Sequence, residues 1–406
     1  MERTGNRLRK LSLAVLCVLL ALSFAVSASA EKTISVFTAT DRHSAYETTA
    51  VESEENKESS SSKERARMPV YDADGSLIWH NNLTDLLSLV RRDEAAVQPE
   101  IILLGGDNVG AGSDKSIDKT GYPMGAPPFS MKAVDAQIAH VFGDTARGVY
   151  TYGSHDNNET GNYADIFFSG SMKCDGFYLY GISFSQMIHE TDGQAKTADE
   201  KGRTYSGKDL ADPKGISAQT AAHHFLSWVK GLRDHWPIIV ISHVPLHANR
   251  GDNSGAHTWT WVLSQAAMNH DVVFLWGHNH TLERSEKAKA VERAHYLLLP
   301  GEEITVQSCE RNEDGKIVLR KAIDSPAPDG TEEEKKPKYE LITHKETLRF
   351  VYMNAGYIID GVGSLLTLTD TEEDGEWDRL TVKRYMLDSE KAEEWDLPLR
   401  KWNQQP

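Results

Sequence analysis

The sequence predicts a mixed α/β fold, in which one α/β domain is finished by a second sheet. Apolar runs with the length of buried strands, such as Ile101 to Leu104, alternate with stretches whose apolar residues recur at helical spacing. After Trp276 the pattern changes to strands without long helices between them. At 406 residues with 39% hydrophobic content, the chain can bury a substantial core.

The N-terminus has the order of features that is typical of a secretory signal peptide. Four basic residues within the first ten positions precede an apolar run from Leu11 to Val26, which ends in Ala28-Ser29-Ala30. An uncleaved membrane anchor is less favoured, because the run is shorter than the roughly 20 residues that a spanning helix needs. We therefore expect a signal peptide at residues 1–30, cleavage before Glu31, and a secreted or extracytoplasmic protein with no transmembrane segment after cleavage.

The net charge argues against one class of partner. The formal charge is −16, and loss of residues 1–30 removes four positive charges and one negative charge, which brings it to −19. Most of such a surface would repel a polyanionic duplex, so long nucleic acid is not expected as a partner.

Two cysteines, Cys174 and Cys309, lie outside the predicted signal peptide. A disulfide between them is permitted by an oxidising compartment. A domain of this size does not need one for stability, so the sequence leaves the pairing open.

The first elements are predicted from short-range patterns. Residues 34–37 form the first strand, and residues 47–67, rich in Ser, Glu and Lys, form a mobile insertion. A helix follows the candidate cap Asn82 and leads to a strand at residues 101–104. Its apolar residues recur at helical spacing: Leu83, Leu86, Leu87 and Val90.

The same alternation continues to Trp276 within a single domain that spans residues 31–406. Helices are predicted near residues 131–142 and after the cap Ser217, with an apolar stripe of Phe225, Trp228, Val229 and Leu232. Strands are predicted at residues 148–152, 177–183, 238–241, 272–276, 296–299, 348–353, 364–369 and 380–386. The polar segment 310–346 is predicted to be a second mobile insertion that leaves the core.

Five short polar strings each follow a run that is typical of a buried strand. They are Asp41-Arg42-His43, Gly106-Asp107, Gly153-Ser154-His155-Asp156, Ser242-His243 and Gly277-His278-Asn279-His280. In open α/β sheets the residues beyond the carboxyl ends of strands share one crevice, so these strings are expected to converge. Carboxylates and imidazoles are ligands that Zn, Mn and Fe accept, which indicates a metalloenzyme.

Two other enzyme classes lose support. The sequence has no GxxxxGK[ST] phosphate loop and no GxSxG nucleophile turn. Hydrolysis of nucleoside triphosphates by a phosphate loop and serine-hydrolase chemistry are therefore not favoured.

In their order, the five strings resemble the calcineurin-like metallophosphoesterases, whose pattern is D-x-H, GD, GNH[DE], H and GHxH. The resemblance covers residues 34–280, with looser agreement at residues 350–357. It implies a two-sheet α/β sandwich with flanking helices and two divalent ions, which would be Mn, Fe or Zn. It also implies that Asp107 bridges the two ions, one held by Asp41, His43 and His280 and the other by His243 and His278.

The expected function is a secreted metal-dependent hydrolase of phosphate monoesters or diesters. Two cations about 3.5–4 Å apart can acidify a bridging water to hydroxide, which attacks phosphorus in line. His155 resembles the histidine of GNH[DE] and would protonate the departing alkoxide, with Asp156 as the adjacent carboxylate. Ser154 replaces the family's Asn as the second ion's ligand, and because a hydroxyl is the weaker ligand we expect weaker binding there.

Two alternatives stay open on the same scaffold: a catalytically weakened metal-dependent binding protein, and a nucleotide pyrophosphatase or phosphodiesterase. Two further histidines are candidates for contact with substrate. His247 follows His243 by four residues, and His257 lies in the next loop beside Trp259 and Trp261, whose indole rings could stack on a base or sugar.

Overall fold

The computed structural model describes seventeen segments of the chain. They are residues 31–42, 70–71, 77–78, 82–108, 131–153, 156, 167–188, 197–198, 204–205, 216–248, 253–279, 296–313, 317–318, 320–324, 338–372, 374–389 and 392–400. The predicted signal peptide, the insertion at 47–67, and His43, Ser154, His155 and His280 lie outside these segments.

Two six-stranded sheets form the centre of the described structure. Their strands, in chain order, are β1 (Lys32–Ala39), β2 (Ile101–Gly105), β3 (Arg147–Thr151), β4 (Gly170–Lys173), β5 (Tyr178–Ile182), β6 (Ile238–Ser242), β7 (Val272–Trp276), β8 (Leu297–Leu298), β9 (Val351–Asn354), β10 (Val362–Asp370), β11 (Arg379–Met386) and β12 (Glu393–Pro398). The first sheet has the order β12-β11-β10-β1-β2-β3, and the second has the order β8-β9-β7-β6-β5-β4.

The strands that the candidate site residues follow all belong to the parallel parts of the two sheets. In the first sheet β1, β2 and β3 are parallel, and in the second sheet β5, β6, β7 and β9 are parallel. The remaining pairs, which involve β4, β8, β10, β11 and β12, are antiparallel. Each parallel set therefore presents its carboxyl ends at one edge of its sheet.

Helices and short strands complete the description. The helices are α1 (Asn82–Arg92), α2 (Met131–Phe142), α3 (Ser185–Ile188), α4 (Ala218–Gly231) and α5 (Ala256–Ala266), with 3-10 turns at Gly143–Thr145 and Ile358–Asp360. Two-stranded ribbons pair Val70–Tyr71 with Leu77–Ile78, Thr197–Ala198 with Thr204–Tyr205, Glu303–Gln307 with Thr343–Thr347, Glu310–Arg311 with Ile317–Val318, and Arg320–Asp324 with Lys338–Leu341. None of the helices in the described segments has both the length and the apolar character to cross a lipid bilayer.

Alternate residues of each strand divide between two apolar clusters, which shows how the layers pack. Val36 of β1 and Ile241 of β6 belong to one cluster, which draws residues from both sheets and fills the space between them. Phe37 of β1 and Val240 of β6 belong to the other, together with residues of α1, α2, α4 and α5. Because side chains alternate between the faces of a strand, the two sheets pack face to face with helices outside.

The predicted helices are confirmed. The four apolar residues of α1 are fully buried, and the hydroxyl oxygen of Ser217 accepts a hydrogen bond from the Thr220 amide at 3.3 Å, as an N-cap does. Asn82 differs from its prediction as a cap, because α1 begins at Asn82 itself. Its side-chain amide donates to the carbonyl oxygens of Ile358 and Ile359 and so ties α1 to a distant turn.

The placement of the late strands corrects the prediction of a domain finished by its own second sheet. The strands β8 and β9 extend the second sheet beside β7, whereas β10, β11 and β12 extend the first sheet beside β1. The strand β12 was not predicted at all, because most of its residues are exposed. The polar segment 310–346 contains paired strands in its described part. Cys174 and Cys309 are not joined by a disulfide.

Candidate metal centre

The carboxyl ends of parallel strands from both sheets meet at one place. Asp41 and Asp107 follow β1 and β2, and the Asp41 amide donates to the Gly106 carbonyl at 3.1 Å. His243 and His278 follow β6 and β7. The His278 amide donates to Asp41 Oδ2 at 2.7 Å, so the loops of the two sheets are bonded directly to each other.

Three of these side chains direct their ligand atoms towards one point. The ligand atoms of Asp107, His243 and His278 all lie within 4.8 Å of one another, and all three residues are buried. The Nε2 atom of His243 is 3.0 Å from Asp107 Oδ2 and 3.0 Å from His278 Nδ1. Ligand atoms around a tetrahedral ion with bonds of 2.0–2.1 Å are about 3.3 Å apart, so the described donors fit a divalent ion closely.

A backbone hydrogen bond on the far side of the ring fixes the orientation of His243. Its Nδ1 atom lies 3.0 Å from the carbonyl oxygen of Gly105. A carbonyl oxygen only accepts, so Nδ1 carries a hydrogen and donates it, which leaves Nε2 as the ring nitrogen that faces Asp107 and His278. This is the arrangement in which a ligating histidine donates its other ring N–H to a backbone carbonyl.

The electrostatics of the cluster favour a positive charge. Burial lowers the pKa of His243. The negative charges of Asp107, Asp41 and Asp156 and the hydrogen bond to Asp107 together have the larger, opposite effect, and they raise the pKa to about 9. The metal-free cluster therefore holds a proton on a histidine that would otherwise be neutral. A divalent ion bound there would take the place of that proton and satisfy the same carboxylates.

The backbone is strained at three of the predicted ligands. Asp41, Asp107 and His278 have φ angles of 54°, 51° and 75°, and no other non-glycine residue in the described segments has a positive φ. Left-handed backbone is uncommon for residues with a Cβ atom, although aspartate and histidine adopt it several-fold more often than most. Strain of this kind persists where the surrounding structure imposes it, and it concentrates at functional sites.

Glycine is required next to these ligands because the loops approach so closely. A Cβ atom at Gly277 would lie 2.1 Å from Thr40 Oγ1 and 2.6 Å from Asp41 Oδ2. A Cβ atom at Gly153 would lie 2.2 Å from the Asp107 amide nitrogen. The glycines in the strings therefore permit convergence of the strand ends.

Asp156 is a brace between two loops of the first sheet. It is fully buried, its Oδ1 accepts from the Asn108 amide at 2.7 Å, and its Oδ2 accepts from the Gly153 amide at 2.8 Å. These bonds join the loop after β2, which carries Asp107, to the loop after β3. Its predicted role beside His155 stays a prediction, because His155 lies outside the described segments.

Two neighbours of the cluster were missed by the sequence analysis. Arg42 is fully buried, and its Nη1 donates at 3.3 Å to the carbonyl oxygen of Asn108, the residue after Asp107. Phe184 is 5% exposed, and its ring centre is 6.2 Å from that of His243 and 5.9 Å from that of His278. The only sequence signal for Arg42 is its position between Asp41 and His43, and Phe184 has none.

The two substrate candidates have other contacts in the structure. His247 is 1% exposed, and its Nδ1 lies 2.7 Å from the Tyr352 hydroxyl, which does not favour contact with a substrate. His257 lies in the first turn of α5, with its Nδ1 atom 3.0 Å from His344 Nε2. Trp259 packs in the core and does not offer its indole to a ligand, whereas Trp261 is 55% exposed.

The described structure thus brings together Asp41, Asp107, His243 and His278 out of the seven predicted ligands. The other three, His43, Ser154 and His280, lie outside the described segments, so the second ion position rests on the sequence alone. No protein-family model matches this chain, and comparisons with curated proteins and with solved structures found no significant match.

Proposed function

We propose that this protein is a metal-dependent hydrolase of phosphate esters, with divalent Mn, Fe or Zn ions held where the two sheets meet. The observation that carries the proposal is the strain at Asp41, Asp107 and His278, the three described non-glycine residues with positive φ. All three are predicted ligands, and non-glycine residues held in left-handed backbone concentrate at functional sites.

The ligand assignment follows the donor set. Asp107, His243 and His278, whose ligand atoms converge, would hold one ion. By the family resemblance, Asp41 with His43 and His280 would hold the second ion, with Asp107 shared. When bound, divalent ions supply Lewis-acid charge and lower the pKa of a coordinated water. The fold that we propose for this arrangement is the two-sheet metallophosphoesterase sandwich.

The remaining residues prepare the site for this chemistry. The Gly105 carbonyl keeps the His243 Nε2 lone pair turned inward, and Asp156 holds the Asp107 loop against the loop that leads to His155. Phe184 lies beside both imidazole rings, where its apolar ring would keep water from one side. In this proposal His155 donates the proton that the departing alkoxide needs.

The test is hydrolysis of p-nitrophenyl phosphate and bis-p-nitrophenyl phosphate, each assayed with Mn, Zn and Fe, by wild type, His243→Ala and His140→Ala. His140 is an exposed histidine on α2 and serves as the matched control. Replacing a residue that hydrogen-bonds to a metal ligand typically lowers metal affinity or activity roughly 10- to 100-fold. Replacing the ligand His243 itself should therefore lower the hydrolysis rate by at least that factor. The control should keep the wild-type rate.

The same assay separates the alternatives. Metal bound at the cluster without hydrolysis of either ester would contradict the enzyme proposal and favour the binding protein. Preference for the diester would favour a phosphodiesterase or nucleotide pyrophosphatase.

We also propose that the protein is secreted. The N-terminal residue of the exported chain tests this proposal, and it should be Glu31.

A further inference from the structure

A second group of metal-ligating side chains lies on the surface between α5 and a two-stranded ribbon. His257 is in the first turn of α5, and His344 and Glu346 are on the strand Thr343–Thr347. The ligand atoms of these three residues lie within 4.8 Å of one another. His344 Nε2 is 3.0 Å from His257 Nδ1 and 2.9 Å from Glu346 Oε1.

The backbone determines this convergence. His344 and Glu346 are two positions apart on one strand, so their side chains share a face. The ribbon's other strand, Glu303–Gln307, is attached to the segment after β6, because the Ala248 amide donates to the Thr305 carbonyl at 2.9 Å. The ribbon is thereby held beside α5, whose first turn supplies His257.

One hydrogen bond cannot join all three groups at once. His344 Nε2 has two neighbours, and a single hydrogen on that atom can serve only one of them at full strength. The imidazole rings of His257 and His344 are perpendicular, with centres 4.5 Å apart, so they do not stack. A cation at the point that all three donors face would accept a lone pair from each.

We propose that His257, His344 and Glu346 bind one zinc ion, with water in the fourth position, and that this ion fastens the ribbon to α5. Two imidazoles and one carboxylate form a ligand set that zinc accepts with an open fourth position. His257 is exposed and the other two residues are half-buried, so the site can load from solvent. The proposal stands independently of the proposed phosphoesterase function.

The primary test is zinc content after equilibration in a zinc-buffered solution, measured by elemental analysis on wild type, His344→Ala and His223→Ala. His223 is an exposed histidine on α4 that lines the same surface cavity as His257, so it controls for nonspecific binding to histidine. His344→Ala should hold one zinc ion fewer per chain than wild type, and His223→Ala should match wild type. Equal zinc content in all three proteins would overturn the proposal.

Two readouts locate the ion and separate this proposal from the metal centre. In diffraction data collected at the zinc edge, an anomalous peak should lie between the three side chains, and its absence from wild-type crystals grown with zinc would overturn the proposal. Zinc should also slow amide hydrogen exchange at residues 256–260 and 343–347 in wild type and His223→Ala. In His344→Gln, which preserves side-chain bulk, zinc should leave those exchange rates unchanged. If zinc slowed exchange in His344→Gln as much as in wild type, His344 would not be a zinc ligand.

Discussion

At the scale of single residues, the candidate ligands were predictable and their supports were not. Asp41, Asp107, His243 and His278 each follow a strand-like run, and that local signal was enough to place them at one edge. The brace formed by Asp156 on Asn108 joins residues 48 positions apart, so no local pattern marks it. The positive φ of Asp41 could not be predicted from the sequence either, because aspartate adopts left-handed backbone more often than most residues but does so at only a minority of positions.

Close approach at Gly277 leads to the first prediction. In Gly277→Ala, the added methyl group overlaps Thr40 and Asp41, and overpacking of this kind should lower the free energy of unfolding by about 1–3 kcal/mol. Gly231→Ala is the control, because Gly231 ends α4 with no atom within 4 Å of the added methyl, and it should not be destabilised. Urea unfolding of both variants measures the difference, and equal stability would contradict the close approach.

The Asp156 brace leads to the second prediction. Asp156→Asn turns one oxygen into a donor that faces a backbone N–H, and an unsatisfied buried group of this kind costs about 1–3 kcal/mol. Affinity for the metal should fall roughly 10- to 100-fold as the Asp107 loop loosens. Asp144→Asn, at an exposed position of the 3-10 turn Gly143–Thr145, is the control for both measurements. Unchanged metal titration in Asp156→Asn would show that the brace does not position Asp107.

At the scale of elements, prediction succeeded where periodicity was strong. The stripe of α1 and the all-apolar runs of β2, β6 and β7 marked elements whose bounds agree closely with the structure. It failed for β12, an edge strand of the first sheet whose polar, exposed residues hide its alternation. The ribbon that carries His344 was hidden in the same way, inside a segment predicted to leave the core.

The junction of α1 with β11 leads to a pH prediction. Burial raises the pKa of Asp93, but hydrogen bonds from Lys383 and Tyr385 lower it by a larger amount. The pKa of Asp93 in the folded protein therefore lies below its ordinary value of 3.8. The stabilisation is complete above that ordinary pKa and is lost as the pH falls through the folded pKa. Asp93→Asn should therefore be less stable than wild type at neutral pH by up to about 1 kcal/mol.

The check is thermal unfolding of wild type and Asp93→Asn across a pH series. The difference in free energy of unfolding between wild type and Asp93→Asn should be constant from neutral pH down to about pH 4. It should disappear at lower pH, where Asp93 is protonated in both the folded and the unfolded protein. A gap that widens on acidification would show that the pair with Lys383 does not lower the Asp93 pKa.

At the scale of the whole molecule, the division of strands between the sheets could not be read from the sequence. The strand β1 pairs with β10 across more than 300 residues, with Lys32 opposite Asp370, and periodicity carries no information about partners at that separation. The consequence for function is that the two aspartates come from one sheet and the two histidines from the other. Metal binding would therefore fasten the sheets together.

This arrangement predicts that bound metal stabilises the fold as a unit. A ligand at a hundred times its dissociation constant should add about 2.7 kcal/mol to the free energy of unfolding. In calorimetry, chelation should lower the melting temperature of wild type more than that of His278→Ala, which has lost a ligand. An equal effect of chelation on both proteins would argue against a metal at this cluster.

The most direct test of the central claim is the rate of phosphoester hydrolysis by chelator-treated protein, before and after Mn or Zn is restored. We expect no turnover of p-nitrophenyl phosphate or its diester without metal, and recovery of turnover when metal is added back. Hydrolysis that continues in the metal-free protein, or protein that rebinds metal at Asp107, His243 and His278 and still hydrolyses neither ester, would contradict the claim.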